Sequence, residues 1–246
     1  MLFDYINFPT KDERAKIYIN LKQLNELCLS IDYKDSNESV YIDTLENRLK
    51  FEHWLKQFNK KLGELRIAYI ITAHYYNKLT LSCKVHMGEY KQNEEYQNYK
   101  YLFNFYLDVF YHKGFAAWDF IYHLLNIFYK MEVKINSTFN NKVIKCLAEV
   151  NQDLYKYFND VFNKNEEYEL AKKYRNDLTH NFPPNTTTYY ETKIGEGITE
   201  TSIKPSIEPD EFMKNVIGFI NLFYNTITTL KYSFEKDSRK ANMVFE

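Results

Sequence analysis

The sequence predicts an all-α fold, a helical bundle of long helices carrying one short β-hairpin insert near 186–203. Three observations predict it. Only 6 Gly and 5 Pro occur in 246 residues, too few turn formers for a chain of short strands. Apolar residues recur every three or four positions over most of the length. One stretch alone, 186–203, turns to Thr, Tyr and Ile around Gly195-Glu196-Gly197, which reads as a strand pair projecting from a helical body.

The first helix starts at Thr10, because Thr10 and Glu13 make a capping-box pair and Ile17, Leu21, Leu24 and Leu27 follow at helical spacing. The polar stretch 33–40 reads as a loop. A long second helix covers about 44–83. Gly63 and Thr72 are its candidate breaks, and 67–81, β-branched and aromatic, is the part most able to fold differently. Met87-Gly88 marks a connection. The third helix covers about 93–131 with a candidate kink at Gly114, and the fourth about 137–162, with Val143, Leu147, Val150, Leu154 and Phe158 on one face. The fifth covers about 166–180 and stops at Phe182-Pro183-Pro184, since a residue before proline avoids the α region. Pro209-Asp210-Glu211 opens a last helix, with proline and acids where a helix start favours them, running to about Lys231 before a polar tail. As domains, this gives an N-terminal helical extension over 1–92, a bundle over 93–235 and a loose tail over 236–246, packed as one unit.

Hydrophobic residues at 45% and charged residues at 26% are enough for a sizeable core. The 23 Tyr and 19 Phe, beside abundant Lys, Asn and Ile, read as an AT-rich genome before they read as aromatic recognition. A net charge of −1 excludes a protein that coats nucleic acid with its whole surface and restricts any such contact to a local patch. Three widely spaced cysteines suggest reduced thiols. Neither a leader pattern nor an apolar run of about 20 residues is visible, so the expected setting is cytoplasmic, with no membrane partner.

The strongest chemical signal is Tyr174-Arg175-Asn176-Asp177-Leu178-Thr179-His180, at the end of the fifth helix. Arginine binds a phosphate in two-pronged fashion, and histidine moves protons near neutral pH. Spacing alone is weak support, because Arg48 and His53 share it. Context separates the two pairs. Leu49 follows Arg48 inside a continuing helix, whereas Asn176 follows Arg175 and His180 stands at a helix end. RNA carries its own nucleophile, the 2′-hydroxyl. A catalyst must remove that proton, stabilise the phosphorane and protonate the leaving 5′-oxygen. His180 suits the proton transfers, Arg175 the phosphate, and Asn176 the orientation of either. Five residues on an ideal helix leave the Arg175 and His180 side chains about 140° apart, a gap that the length of arginine partly closes. The bland alternative pairs Arg175 with Glu167 or Asp177 and makes His180 a helix cap.

The run Arg175-Asn176…His180 resembles the R-x4-6-H signature of the HEPN superfamily of helical ribonuclease and nucleotide-binding domains, and 117–126 looks like an earlier core helix of one branch. The resemblance covers about 99–231. It implies metal-independent endoribonuclease activity without a cofactor, RNA as a partner, and a homodimer whose two motifs line one cleft. It also implies a toxin–antitoxin or antiviral defence setting, with an antitoxin or defence protein as a possible partner. The alternative within the same resemblance is a non-catalytic module that binds RNA, nucleotide or protein.

Weaker constellations remain. Asp119 and His123 are i, i+4 on one helix, which reads as a buried hydrogen-bonded couple reaching Asn126 or as support behind the site. His74, Cys83 and His86 match no standard zinc spacing. His112 lacks a partner. Lys164, Lys172 and Lys173 beside the motif, with Lys231, Lys236, Arg239 and Lys240, read as a phosphate track or as solvated faces paired with acids.

Overall fold

In the computed structural model the first helix, α1 (Lys11–Asn20), starts where its capping box sets it. The Thr10 hydroxyl accepts from the Glu13 amide at 3.3 Å, and the Thr10 amide donates to Glu13 Oε2 at 2.8 Å. The helix ends at Asn20 and gives way to a tight 3-10 turn, Lys22–Glu26, that still buries Leu24. The structure describes residues 2–31, 44–85, 94–180, 184–195, 198–204 and 206–240. The expected loop at 33–40 and the Met87-Gly88 connection lie outside them.

Helix α2 (Leu45–Val85) is continuous through both candidate breaks. Thr72 is fully buried, yet its hydroxyl donates back to the Ala68 carbonyl at 2.8 Å and lies 3.0 Å from the Tyr106 carbonyl. A polar β-branched residue is thereby satisfied inside the helix, and packing along α3 overrides its weak propensity. Gly63 has open space where a side chain would stand. A lone glycine costs a helix only about 1 kcal/mol, too little to break one held by so much packing.

Helix α3 (Glu94–Phe128) is also continuous. At Gly114 an added Cβ would lie 2.6 Å from the Phe219 ring, so the glycine admits that ring against α3. Past α3 the chain turns through left-handed Lys130 and Glu132, and the Asn126 side chain bonds both the amide and the carbonyl of Val133.

The fourth expected helix is in fact two, α4 (Phe139–Val150) and α5 (Gln152–Lys164). Asn151 leaves the helical region at φ −150° and caps α5, its Oδ1 accepting from the Leu154 amide at 2.9 Å. The same side chain donates to Asp237 Oδ2 at 2.8 Å, and the Tyr129 hydroxyl donates to that oxygen, also at 2.8 Å. This corrects the expected loose tail as far as Lys240, while 241–246 lie outside the described residues. Helix α7 runs Pro209–Lys240, with Phe234 fully buried against Phe51 and Phe128.

Helix α6 (Glu166–His180) falls where expected. Between α6 and α7, β1 (Thr188–Gly195) pairs antiparallel with β2 (Ile198–Lys204), Thr188 opposite Lys204. The excursion is closed at its base, where the Ile207 amide donates to the carbonyl of buried Pro184 at 2.8 Å. Side chains from all seven α-helices described here meet in one hydrophobic core. Among the described residues no helix is long and apolar enough to cross a membrane.

Candidate functional site

Helix α6 carries Arg175, Asn176 and His180, and its placement begins at its cap. Asn165 Oδ1 accepts from the Tyr168 amide at 2.9 Å, and Glu166, Glu167 and Glu169 fill the first turn, where the helix dipole favours acids. The buried face of Tyr168, Ala171 and Tyr174 then docks. Tyr168 packs on Phe115 and Trp118 of α3, with ring centroids 5.8 and 5.2 Å apart, and Tyr174 lies 4.7 Å from Phe212 of α7.

One buried amide locks the three helices. Asn215 of α7 accepts from the Tyr111 hydroxyl at 2.8 Å and donates to Glu167 Oε2 at 2.8 Å and to the Glu167 carbonyl at 3.1 Å. Burial pushes the Tyr111 hydroxyl far above its ordinary range, so it acts as a neutral donor. Gly218 makes room for the Glu167 carboxylate, which an added Cβ would strike. Glu167 is therefore engaged with α7, and it is not the ion-pair partner of Arg175 that sequence spacing allows.

Arg175 is half-buried, with its guanidinium carbon 5.0 Å from the centroid of the Phe115 ring. Its Nε is buried and has no hydrogen-bond partner among the described residues. Asn176 is half-buried. His180 is exposed as the last residue of α6. The expected stop at Phe182-Pro183 lies outside the described residues.

Asp119 and His123 are not a couple. Asp119 accepts from the Asn140 amide at 3.0 Å. Its side chain keeps solvent contact but is crowded by protein, and that crowding raises its pKa, while Asn140 and the charge of Arg175 pull it down. His123 instead stacks on Trp54 at 4.1 Å and packs on Phe139 at 4.7 Å, and burial lowers its pKa. Asn126 serves Val133 and reaches neither. Of the two, Asp119 alone acts electrostatically on Arg175.

His112 does have partners, contrary to expectation. Its Nε2 lies 3.2 Å from Thr179 Oγ1, inside the motif, and 3.4 Å from Asp108 Oδ1. The only sequence signal was the i, i+4 spacing of Asp108 and His112, since Thr179 is 67 positions away.

The other candidates settle elsewhere. Arg48, in the first turn of α2, donates to Glu52 at 3.0 Å on an exposed face, and exposed His53 packs beside Trp54 within the continuing helix. His74 Nε2 lies 2.8 Å from Asn7 Oδ1, while His86 and the Cys83 side chain lie outside the description. Lys164, Lys172 and Lys236 face Asp160, Glu169 and Asp153 at 2.7, 3.5 and 3.7 Å, which favours paired faces over a phosphate track.

No curated protein and no solved structure matches the chain. A family profile does match, that of the HEPN_Cthe2314-like HEPN domains, over residues 54–236. The match begins within α2, so it takes in much of the helix that the sequence assigns to an N-terminal extension. It covers well over half of the chain and all of α3 to α6, with Arg175, Asn176 and His180. The chain belongs to the HEPN_Cthe2314-like HEPN family.

Proposed function

We propose that the protein is a metal-independent endoribonuclease that leaves a 2′,3′-cyclic phosphate. One observation carries the reading. Arg175 is held by the face of an aromatic ring with its Nε buried and unbonded, one helical turn and a half before an exposed histidine at a helix end. A cation fixed on a ring face suits an anionic phosphorane, and an exposed imidazole later on the same helix suits proton transfer. Asn176, half-buried between them in sequence, orients phosphate or ring. Family membership supports a homodimer and a toxin–antitoxin or antiviral setting in the cytoplasm, with an antitoxin or defence protein as partner. The second reading, a non-catalytic binding module, draws on Asp119, whose charge competes with a phosphate for Arg175.

The two are separated by incubating end-labelled RNA with wild-type protein in EDTA beside R175A and H180A. The ribonuclease reading expects cleavage by wild type, with H180A slower by roughly 10²–10⁴-fold. No cleavage by wild type, or equal cleavage by both variants, favours the binding module.

A further inference from the structure

Thr179 Oγ1 lies 2.7 Å from the Arg175 carbonyl oxygen, which accepts its only proton. At 3.2 Å from the same hydroxyl oxygen, His112 Nε2 is therefore the donor. Asp108 Oδ1 is buried, has no hydrogen-bond partner among the described residues, and lies 3.4 Å from that nitrogen, close enough for its charge to act on the ring without a hydrogen bond. The Thr179 hydroxyl thus holds the N–H on Nε2, with the Asp108 carboxylate facing the same edge of the ring. In the neutral ring this leaves the lone pair on Nδ1. The His112 side chain is 47% exposed, so the ring is anchored by one edge and open to a ligand. Thr179 immediately precedes His180. Consecutive Cα atoms are about 3.8 Å apart, which puts His112 Nε2 within about 9 Å of the His180 Cα.

We infer that His112 is the second imidazole of the RNA site and serves as its general base, with His180 as the acid, so that one protomer holds both proton-transfer groups. This rests on the ribonuclease reading above. His112 Nδ1 takes the proton of the 2′-hydroxyl as the O2′–P bond forms. Asp108 faces the positive charge that the ring gains. Protonated His180 gives its proton to O5′ as the P–O5′ bond breaks, leaving a 2′,3′-cyclic phosphate and a 5′-hydroxyl. Arg175 meets the charge on the phosphorane between them. Water returns the proton from His112 to His180 before the next turnover. Thr179 is a positioning residue in this scheme, acting only through the tautomer and orientation of His112.

The test combines binding and turnover. A 2′-deoxy-substituted RNA oligonucleotide, which cannot be cleaved, is titrated into the full-length protein while the imidazole C–H resonances of His112 and His180 are followed, each assigned by its loss in H112A or H180A. Cleavage of the matching all-ribose RNA is measured for wild type, H112A, H180A and T179V. Both resonances shift on binding. H112A and H180A each slow cleavage by roughly 10²-fold or more, and T179V slows it less while displacing the His112 signal. Wild-type cleavage with a shift at His180 alone, or with H112A at full rate, overturns the inference and leaves the ribonuclease reading standing. Binding that shifts both signals without any wild-type cleavage overturns that reading, and the proton-transfer role of His112 with it.

Discussion

The guanidinium of Arg175 lies over the ring of Phe115, 5.0 Å from its centroid. Asp119 follows Phe115 by one turn of α3 and acts on the same cation. The arginine is thus held from the side, by a ring face and a charge. A lysine cannot reproduce this, having no planar fork to lie on a ring.

The stack should be measurable as a coupling. In a double-mutant cycle of F115L and R175M, followed by urea unfolding, the two sites should couple by about 0.5–1 kcal/mol, typical of a partly exposed cation over a ring. Additive effects would mean that the contact holds nothing.

The Tyr111–Asn215–Glu167 lock should matter more. N215A strands the buried Tyr111 hydroxyl and removes both tethers to Glu167. Unfolding free energy should fall by roughly 2–4 kcal/mol, and Y111F should recover part of that loss in the double variant. A change below about 0.5 kcal/mol would show that α6 is placed by its aromatic face alone.

At the junction of α4 and α5, N151A removes a helix cap and a donor to Asp237 together. The cap alone accounts for about 1 kcal/mol, and leaving a buried carboxylate one donor short should make the total larger. N151S, which keeps a capping oxygen, should recover most of the cap contribution. Denaturation midpoints of the three proteins decide it.

Acid should weaken the fold first through buried histidines. Burial holds His74 and His123 below their ordinary 6.5, so the folded state takes up fewer protons there than the unfolded chain. Their contribution is present above about pH 6.5 and is lost as pH falls toward their folded values. Glu13 and Glu64, lowered by hydrogen bonds from Thr10 and Lys113, act only below about pH 4.5. Urea midpoints should therefore decline from pH 7 to pH 5.5, and less so in H123F, which keeps a ring against Trp54. An unchanged slope in H123F would contradict the burial of His123.

What the sequence showed of this molecule was what lies close together along the chain. The capping box at Thr10, the extent of α6 and the proline start of α7 each depend on residues within a turn of one another. The break at Asn151 was hidden because Val143, Leu147, Val150, Leu154 and Phe158 keep helical spacing across it, and a single residue leaving the α region does not disturb that period. The end of α7 was misplaced because its reason is Tyr129, 108 positions away. Arg175, Asn176 and His180 stood out as a motif. His112 did not, since its tie to Thr179 forms only when α6 docks on α3.

The central claim is most directly tested on the ends of the cut RNA. Wild-type protein in EDTA should cleave a labelled RNA and leave a 2′,3′-cyclic phosphate and a 5′-hydroxyl, and a single 2′-deoxy substitution should abolish cleavage at that position alone. Cleavage at the substituted position, a linear 3′- or 5′-phosphate formed directly, or activity that vanishes with EDTA would contradict it.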